Sequence, residues 1–470
     1  MHELLKEPAT IIVERLRAGA VTPHMLLDAL EARIGEIDGK VNALPTLCFD
    51  RARSHADRLM ALPPGERGLL AGLPVPIKDL CDVAGVRSTQ GSPIFADCVP
   101  EVSDIMVERL ERTGALVYAK SNTPEFGSGA NTFNEVFGAT RNPWNLSRSV
   151  AGSSGGAAAA LAAGMAWVAH GSDMGGSLRN PASFCGVVGF RPSPGRVGCS
   201  KGAKLDGLLS VEGPMARNVE DVSLLLDAMV GEEATDPVSL PSDGRSFLAA
   251  ARSGWRPKRV AVSRDLGITP VDPGVWEVVQ AAARKLQGEG IVVEKAHPDF
   301  SGAHECFQTL RAVDYAVGMA PLLEAHRDKL KPEVIWNIEK GLKLTADEIG
   351  RAERHRAVLF QRAHAFFGAY DLILAPATIV AAFPVEERYL AECDGHRFST
   401  YIDWLAIVYA FTLIASPAIS IPAGLTREGL PVGLQVAGFC RGDARVLAGA
   451  KLIEDILGLK GSTPIDPRPA

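Results

Sequence analysis

The spacing of hydrophobic residues changes near residue 66 and divides the chain into a short first part and a long second part. Through the first sixty residues, apolar positions recur at helical intervals. Thr22 followed by Pro23 supplies a capping residue and a proline suited to the first helical turn. We therefore predict that residues 1–65 form a helical arm packed on the core and that residues 66–470 form the main domain.

From Leu69 onward, short apolar runs alternate with helical stretches and glycine-rich turns. Runs of strand length include LPVPI, ALVYAK, AWVAH, GVVGF, DLILAPA, AISIPAG and PVGLQVAG. RVAVSRD, VWEVVQAAARKLQ and IVVEKA together predict a strand, a helix and a second strand, as in a βαβ unit. This order predicts an α/β fold, a single large domain with a mixed central β-sheet surrounded by helices.

The middle of the chain, about residues 230–370, is predicted to be a mostly helical and variable region. Residues 231–257 are rich in proline, aspartate, serine and glycine, which indicates a surface connection. Residues 302–368 have helical spacing. We expect breaks at Pro321 and Pro332, because proline lacks the N–H donor that a helix interior needs.

Composition narrows the classes of function. The 470 residues are 47% hydrophobic and 22% charged, which is typical of a protein with a large core and excludes disorder. The net charge of -6 comes from 49 basic and 55 acidic residues spread along the chain, so no nucleic-acid partner is expected. The longest apolar runs, such as 404–415, are shorter than the roughly 18 residues of a membrane span. We predict no membrane association.

The eight cysteines include no CxxC pair and no short spacing to a histidine. We interpret them as reduced thiols and predict a cytoplasmic protein, in agreement with an N-terminus that lacks the features of a signal peptide. No metal and no cofactor are predicted.

Two loops rich in glycine and serine have the most unusual local sequence, SVAGSSGGAAAALAAG at 149–164 and HGSDMGGSLRNPASFCGVVGFRP at 170–192. Glycines let backbone N–H groups converge, which both an anion cradle and an oxyanion hole need. Upstream, Lys78 lies in PVPIKDL, an apolar, strand-like setting where a lysine is unexpected. Serines in both loops argue against simple turns.

Two other chemistries compete for these loops. A phosphate-binding loop is also a glycine-rich turn before a helix, but no lysine followed by serine or threonine ends the first loop. Residues 152–156 satisfy the G-x-S-x-G pattern of α/β-hydrolases, which would make Ser154 the nucleophile and require an acid and a histidine downstream. None of the downstream histidines lies in a recognisable loop context.

The loops and several other segments resemble the amidase signature family. The match runs from about residue 70 to the C-terminus, is loose over 230–370, and departs from the family at GFRPS, where GLKPT is commoner. The matching segments are GLPVPIKD at 72–79, KSNTPEFG at 120–127, GATRNPWN at 138–145, GSSGG at 152–156, GSDMGGSLRNPASFCGVVGFRPSPGRV at 171–197, and PAISIPAG with GLPVGLQV between 417 and 436. The resemblance implies hydrolysis of a carboxylic acid amide, a non-peptide C–N bond, to an acid plus ammonia or an amine.

The family uses a Ser–cis-Ser–Lys triad. Carried onto this sequence, the base falls on Lys78, the relay serine that follows a cis peptide bond on Ser153, and the nucleophile on Ser177, 24 residues after the relay. A serine hydroxyl is a poor nucleophile until a base takes its proton. The pKa of free lysine is about 10.4, so Lys78 has to be desolvated to act as that base at neutral pH. Ser177 would form the acyl-enzyme.

The resemblance also implies an oxyanion hole made of the backbone N–H groups of Met174, Gly175, Gly176 and Ser177, which would point at the developing negative oxygen.

Other residues of these segments are expected to support the site. Ser154 and Ser172 are expected to support the lysine and the relay serine by hydrogen bonds. Asp173 and Arg179 are expected to brace the loop. Gly127 and Ser128 are expected to line the substrate pocket.

Three functions follow from this reading. The main hypothesis is a free-standing hydrolase of a small-molecule amide, for which a homodimer would be in keeping with the family. The second is the glutaminase (A-type) subunit of a tRNA-dependent amidotransferase, which usually has GGSIRQP where this chain has GGSLRNP. The third is an inactive amidase-like binding scaffold, which would have no reason to keep all three triad residues. The sequence does not identify the amide.

Overall fold

The computed structural model describes residues 1–198, 207–242 and 244–469. In chain order, its strands are Thr46–Leu47 (β1), Pro74–Lys78 (β2), Leu116–Ser121 (β3), Phe133–Asn134 (β4), Gly138–Ala139 (β5), Arg141–Asn142 (β6), Asn145–Ser149 (β7), Val168–Asp173 (β8), Val188–Arg191 (β9), Val211–Ala216 (β10), Arg259–Val262 (β11), Val292–Lys295 (β12), Leu372–Pro376 (β13), Glu392–Cys393 (β14), His396–Arg397 (β15), Ala418–Leu425 (β16) and Pro431–Ala437 (β17).

The α-helices, in the same order, are Ala9–Arg17 (α1), Pro23–Val41 (α2), Phe49–Met60 (α3), Ile105–Arg112 (α4), Gly155–Ala162 (α5), Arg179–Cys185 (α6), Val219–Met229 (α7), Phe247–Ala251 (α8), Pro273–Gly288 (α9), Ala303–His326 (α10), Pro332–Leu342 (α11), Ala346–Phe367 (α12), Ala406–Leu413 (α13) and Asp443–Leu457 (α14).

The core is an eight-stranded sheet in the order β12-β11-β13-β17-β16-β9-β10-β8. Strands β12, β11 and β13 run parallel, and every later pair in the order is antiparallel. The predicted mixed sheet surrounded by helices is therefore confirmed, including the βαβ unit formed by β11, α9 and β12. The central strands β13 and β17 are buried at every position, as expected for a sheet that is covered on both faces.

A second sheet has three strands in the order β1-β3-β2. Its strand β2 packs beside β8 of the first sheet and ends at Lys78. Strands β2 and β3 are parallel, whereas β1 pairs antiparallel with β3. The prediction that the first sixty residues are helical was therefore incomplete, because Thr46 and Leu47 pair with β3. Two residues are too few to produce a detectable alternation of apolar and polar positions.

One prediction for the middle region was wrong, the helix break expected at Pro321, because α10 continues through this residue. The stretch 231–257 contains one short helix, α8, and is exposed or half-buried at most of its described positions. A proline removes one hydrogen bond from a helix. Buried residues on both sides of Pro321, Tyr315 and Leu323, pack into one apolar cluster, so tertiary packing keeps the helix continuous. Pro332, by contrast, stands at the start of α11, where a proline is tolerated.

The first helices are joined to the core by buried hydrogen bonds. Ala9 and Thr10, at the start of α1, donate their N–H groups to the Asp221 carboxylate at 2.8 and 2.9 Å, and Arg33 on α2 donates to the Ala163 carbonyl at 3.0 Å. These contacts support our proposal that residues 1–65 act as an arm on the domain. No helix in the described ranges is long and apolar enough to cross a bilayer.

Glu454, on α14, makes stability depend on pH. Its carboxylate accepts the Val219 N–H at 2.9 Å, whereas Oε2 is buried and has no partner in the described part of the chain. Burial raises the pKa of this carboxyl from its ordinary value of 4.5 to about 7. The folded state therefore keeps a proton that the unfolded chain releases, so stability present below pH 4.5 is lost as pH rises through 7.

We expect Glu454→Gln to remove this dependence. As the pH rises from 5 to 8, wild type should lose about 2 kcal/mol of unfolding free energy that the variant does not lose. Urea denaturation of both proteins at the two pH values measures this difference. A difference that does not change with pH would contradict the raised pKa.

Candidate active site

A cavity of about 670 Å³ opens where β2 and β8 end. One side is formed by the two glycine- and serine-rich loops, including Ser153, Ser172 and Ser177. The opposite side is formed by α10 and by the segment before α13. The structure thus brings both loops to one cavity.

Lys78, the last residue of β2, is completely buried and contacts three serine hydroxyls. Its Nζ lies 2.7 Å from Ser153 Oγ, 3.0 Å from Ser154 Oγ and 3.0 Å from Ser172 Oγ. The two serines predicted to support the lysine, Ser154 and Ser172, therefore lie beside it. Three hydroxyls around one amine fix its position and connect it to the cavity through Ser153.

The two loops are joined by their backbones. The peptide bond between Gly152 and Ser153 is cis, and the Ser154 N–H donates to the Ser177 carbonyl at 3.1 Å. Gly127, which also lines the cavity, has a positive φ of 69°, and a Cβ built there would lie 3.3 Å from Ser153 Oγ. The left-handed φ favours glycine at position 127, and a Cβ there would also lie 3.0 Å from Leu80 Cδ1.

The predicted oxyanion hole requires one correction. The Gly176 N–H donates to Asp173 Oδ1 at 3.0 Å, and Gly176 is absent from the cavity lining in the part of the chain described. Met174, Gly175 and Ser177 do line the cavity. Within the described ranges, their N–H groups have no backbone or side-chain acceptor. The set of candidate donors is therefore reduced to these three groups.

Asp173 holds the turn that carries Ser177. Its carboxylate accepts Arg179 Nη2 at 2.9 Å, Arg191 Nη1 at 3.2 Å and the Leu178 N–H at 3.2 Å, and both guanidinium groups are fully buried. Burial opposes ionisation of Asp173, but the two arginines and the backbone N–H groups hold the pKa of this carboxyl well below its usual range. Asp173 therefore stays charged and fixes the turn.

Arg179 also reaches helix α13 and strand β17 behind the site. It donates to the Val408 carbonyl at 2.8 Å and to Gln435 Oε1 at 2.6 Å. Both predicted bracing residues, Asp173 and Arg179, thus lie under the loop and point away from the cavity, and neither lines it in the described residues.

Ser154 lies in a position that does not favour the α/β-hydrolase alternative. It is fully buried, and its Oγ accepts from Lys78 and donates to the Ser172 carbonyl at 3.3 Å. Unlike Ser153 and Ser177, it is not among the described residues that line the cavity. A nucleophile needs access to substrate, and Ser154 has none in this arrangement.

The two residues expected to line the pocket occupy different positions. Gly127 lines the cavity, whereas Ser128 lies behind the wall, completely buried, with its Oγ 2.6 Å from Tyr315 Oη. Lys331 Nζ donates to the Ser128 carbonyl at 2.5 Å, and burial lowers the pKa of that amine to about 8.

The structure brings Cys81, His170 and Glu212 together, with donor atoms within 4.8 Å of one another. No spacing in the sequence suggested this group. His170 Nδ1 accepts the backbone N–H of Lys78 at 3.3 Å. This contact leaves the ring proton on Nε2, which lies 2.8 Å from Glu212 Oε2. Binding of a metal would need the Nε2 lone pair, so this arrangement fits a buried hydrogen-bond relay behind Lys78 better than a metal centre.

A second buried lysine, Lys120, was not predicted from the sequence. Lys120 Nζ donates to Asp79 Oδ1 at 2.9 Å, to the Cys81 carbonyl at 2.7 Å and to Ser88 Oγ at 2.7 Å. The ion pair between Lys120 and Asp79 holds the chain immediately after Lys78. Its position within KSNTPEFG, one of the segments that match the family, was the available signal.

Several known proteins are similar to this chain over most of its length. A family model described as Amidase matches residues 25–447. An acylamidase from Rhodococcus erythropolis is 33% identical over 465 residues, which cover 97% of each chain. The A-type subunit of the glutamyl-tRNA(Gln) amidotransferase from Anaeromyxobacter dehalogenans is 33% identical, with 96% of each chain covered. The crystal structure of a bacterial aryl acylamidase of the amidase signature family superposes with a TM-score of 0.89 at 27% identity, covering 98% of this chain and 99% of that one.

Proposed function

This chain belongs to the amidase family and hydrolyses amide C–N bonds, and from that premise we propose that Ser177 is its nucleophile, Ser153 its proton relay and Lys78 its base. The observation that carries the proposal is the contact between the buried Lys78 amine and Ser153 Oγ, at 2.7 Å. This contact links a buried base to the cavity that Ser177 lines.

In the proposed mechanism, Ser177 Oγ attacks the amide carbonyl carbon while Ser153 takes its proton and passes its own proton to Lys78. The carbonyl oxygen becomes negative and is stabilised by the N–H groups of Met174, Gly175 and Ser177. Collapse of this intermediate breaks the C–N bond. The leaving nitrogen receives a proton from Ser153, which Lys78 reprotonates.

Water then completes the reaction. A water molecule attacks the acyl-enzyme ester, gives its proton to the same Ser153–Lys78 pair and releases the acid, so that Ser177 regains its hydrogen. Asp173 takes no proton in this scheme. It keeps the Ser177 turn rigid, so that the three N–H donors need little rearrangement when charge develops on the oxygen.

We propose a small-molecule amide as substrate and turnover without a second type of chain, in the cytoplasm. The aromatic side chains Phe126, Phe307, Tyr315 and Tyr401 line the cavity, which suits an aryl or other apolar group next to the amide. Relatives named as acylamidases agree with this class.

Labelling with a serine-reactive fluorophosphonate tests the assignment. We expect one adduct, mapped by mass spectrometry to Ser177, and a labelling rate at least about 100-fold lower in Ser153→Ala and Lys78→Ala, because each removes a step of proton transfer. Ser210, another serine of the cavity lining, provides the control, since Ser210→Ala should label as wild type does. An adduct on Ser154 would contradict the proposal and favour the α/β-hydrolase type of site.

The amidotransferase relatives give the second candidate function, glutamine hydrolysis as the A-type component of a complex. The usual segment of such components has a glutamine where this chain has Asn180, whose side chain donates to the Gly175 carbonyl at 3.4 Å beside the proposed oxyanion donors. Release of ammonia from glutamine by the isolated chain, at a rate above that for simple amides, would favour this candidate.

A further inference from the structure

Helix α10 presents three large side chains to the cavity from successive turns. Phe307, Arg311 and Tyr315 are spaced four residues apart, which places them on one face of the helix, and all three line the cavity. A positively charged residue in the middle of an aromatic wall is unusual, because burial of a charge is unfavourable unless something compensates it.

Arg311 is 7% exposed and is bound by neutral partners. Its Nη2 donates to Tyr315 Oη at 2.8 Å and its Nη1 to Asn337 Oδ1, and the rings of Tyr315 and Tyr401 lie 4.3 and 5.5 Å from its guanidinium carbon. Burial opposes the charge, but the two tyrosines hold the pKa of Arg311 above its ordinary value. The group is therefore a fixed cation.

Among the described residues, Arg311 forms no ion pair with a carboxylate, and Asp314 acts on it only through longer-range electrostatics. Three aspartates, Asp82, Asp104 and Asp314, also line the cavity, and each is engaged in an interaction of its own. A buried guanidinium that lacks an acidic partner and borders a cavity is suited to a ligand that brings the negative charge, and arginine holds a carboxylate through two parallel hydrogen bonds.

The helix also sets the spacing of Phe307 and Arg311 along the cavity wall. The Phe307 ring lies against the proposed oxyanion turn, since a Cβ built on Gly175 would be 3.3 Å from Phe307 Cζ. Arg311 follows four residues later, a rise of about 6 Å along the helix axis. That separation is about the width of one aromatic ring.

We propose that Arg311 binds a carboxylate of the substrate, so that the preferred amides carry a carboxylate about one ring-width from the scissile bond. The inference rests on the proposed function, because it takes the Ser177 side of the cavity as the place of bond cleavage. The carboxylate belongs either to the acyl part or to the leaving amine, and both arrangements share the same recognition by a guanidinium.

Two pairs of substrates matched in shape test the proposal and distinguish these sources. For the acyl side the pair is 4-carbamoylbenzoate and 4-isopropylbenzamide, and for the amine side it is 4-acetamidobenzoate and 4-isopropylacetanilide. We expect wild type to prefer the carboxylate in one pair. Arg311→Gln should lower kcat/KM for that carboxylate about 100-fold and for its neutral partner less than about threefold, with Arg311→Lys in between.

Lys340→Gln is the matched control. Lys340 joins α10 and α11 through Gln308, at 2.8 Å, and lies outside the cavity lining in the described residues. Its loss should leave both rates within about twofold of wild type. An equal fall for charged and neutral substrates in Arg311→Gln would show that Arg311 only supports the wall and would overturn the proposal.

Calorimetric binding of the same four compounds to Ser177→Ala separates this inference from the proposed function. Tighter binding of a carboxylate than of its neutral partner, lost in the double variant with Arg311→Gln, would support the carboxylate site even if wild type did not turn the compounds over. Failure of Ser177 to label with fluorophosphonate would count against the nucleophile alone. No preference for either carboxylate, in turnover or in binding, would overturn the role of Arg311.

Discussion

We expect Ser177→Ala to lower kcat/KM for amide hydrolysis by about 10⁴-fold or more, because the variant should keep the cavity and the proposed oxyanion donors but lose the proposed nucleophile. Release of ammonia from 4-isopropylbenzamide measures this effect. Ser210→Ala, a change to another serine of the same cavity, should retain wild-type turnover. Residual activity of Ser177→Ala above about one per cent of wild type would mean that another group is the nucleophile.

The Asp173→Asn variant has the largest expected effect on stability. The change keeps the shape of the side chain but leaves Arg179 and Arg191 buried without their common carboxylate. Removal of one partner from such a buried group costs about 3–5 kcal/mol. The variant should also lose most of its activity, because the same carboxylate holds the turn that carries Ser177.

Urea denaturation of wild type and Asp173→Asn at several pH values checks this prediction. The pKa of Asp173 lies below its unfolded value, so its stabilisation is present above that value and is lost as pH falls through the folded pKa. The difference in free energy of unfolding should therefore hold from pH 5 to pH 9. Glu428→Gln, which breaks an exposed pair with Arg148, should change stability by less than about 0.5 kcal/mol. Equal effects of the two substitutions would refute the bracing role.

Lys78 and the two serine loops could be identified from the sequence because their chemistry leaves local marks. A lysine in an apolar strand is out of place, and glycine with serine at high density marks backbone that approaches a ligand. The mixed sheet was predictable for a similar reason, since strand-length apolar runs and helical periods alternate along the chain.

The direction of a single N–H group was not predictable. Gly176 lies in the turn where the family resemblance places an oxyanion donor, but its N–H is taken by Asp173. That contact depends on how two buried arginines orient the carboxylate. One of them, Arg191, lies on β9 and reaches the loop only through the order of strands in the sheet. No local pattern contains this information.

Arg311 and the group formed by Cys81, His170 and Glu212 were missed because their partners are far away in the sequence. An arginine within a helical period is usually exposed, and nothing near residue 311 indicates that Tyr401 will cover it. His170 and Glu212 meet because β8 and β10 pair antiparallel, a register that only the folded sheet determines.

The two sides of the cavity come from separate parts of the chain. The proposed reactive groups lie between Lys78 and Ser177, and much of the facing wall comes from Phe307, Arg311 and Tyr315. Substitutions on α10 can therefore alter which amide is accepted while the machinery for cleavage remains intact. Selectivity can therefore change at the α10 wall, in evolution or by protein engineering, without a change at the proposed reaction centre. A library confined to the cavity-facing positions of α10 is the natural starting point for new specificities.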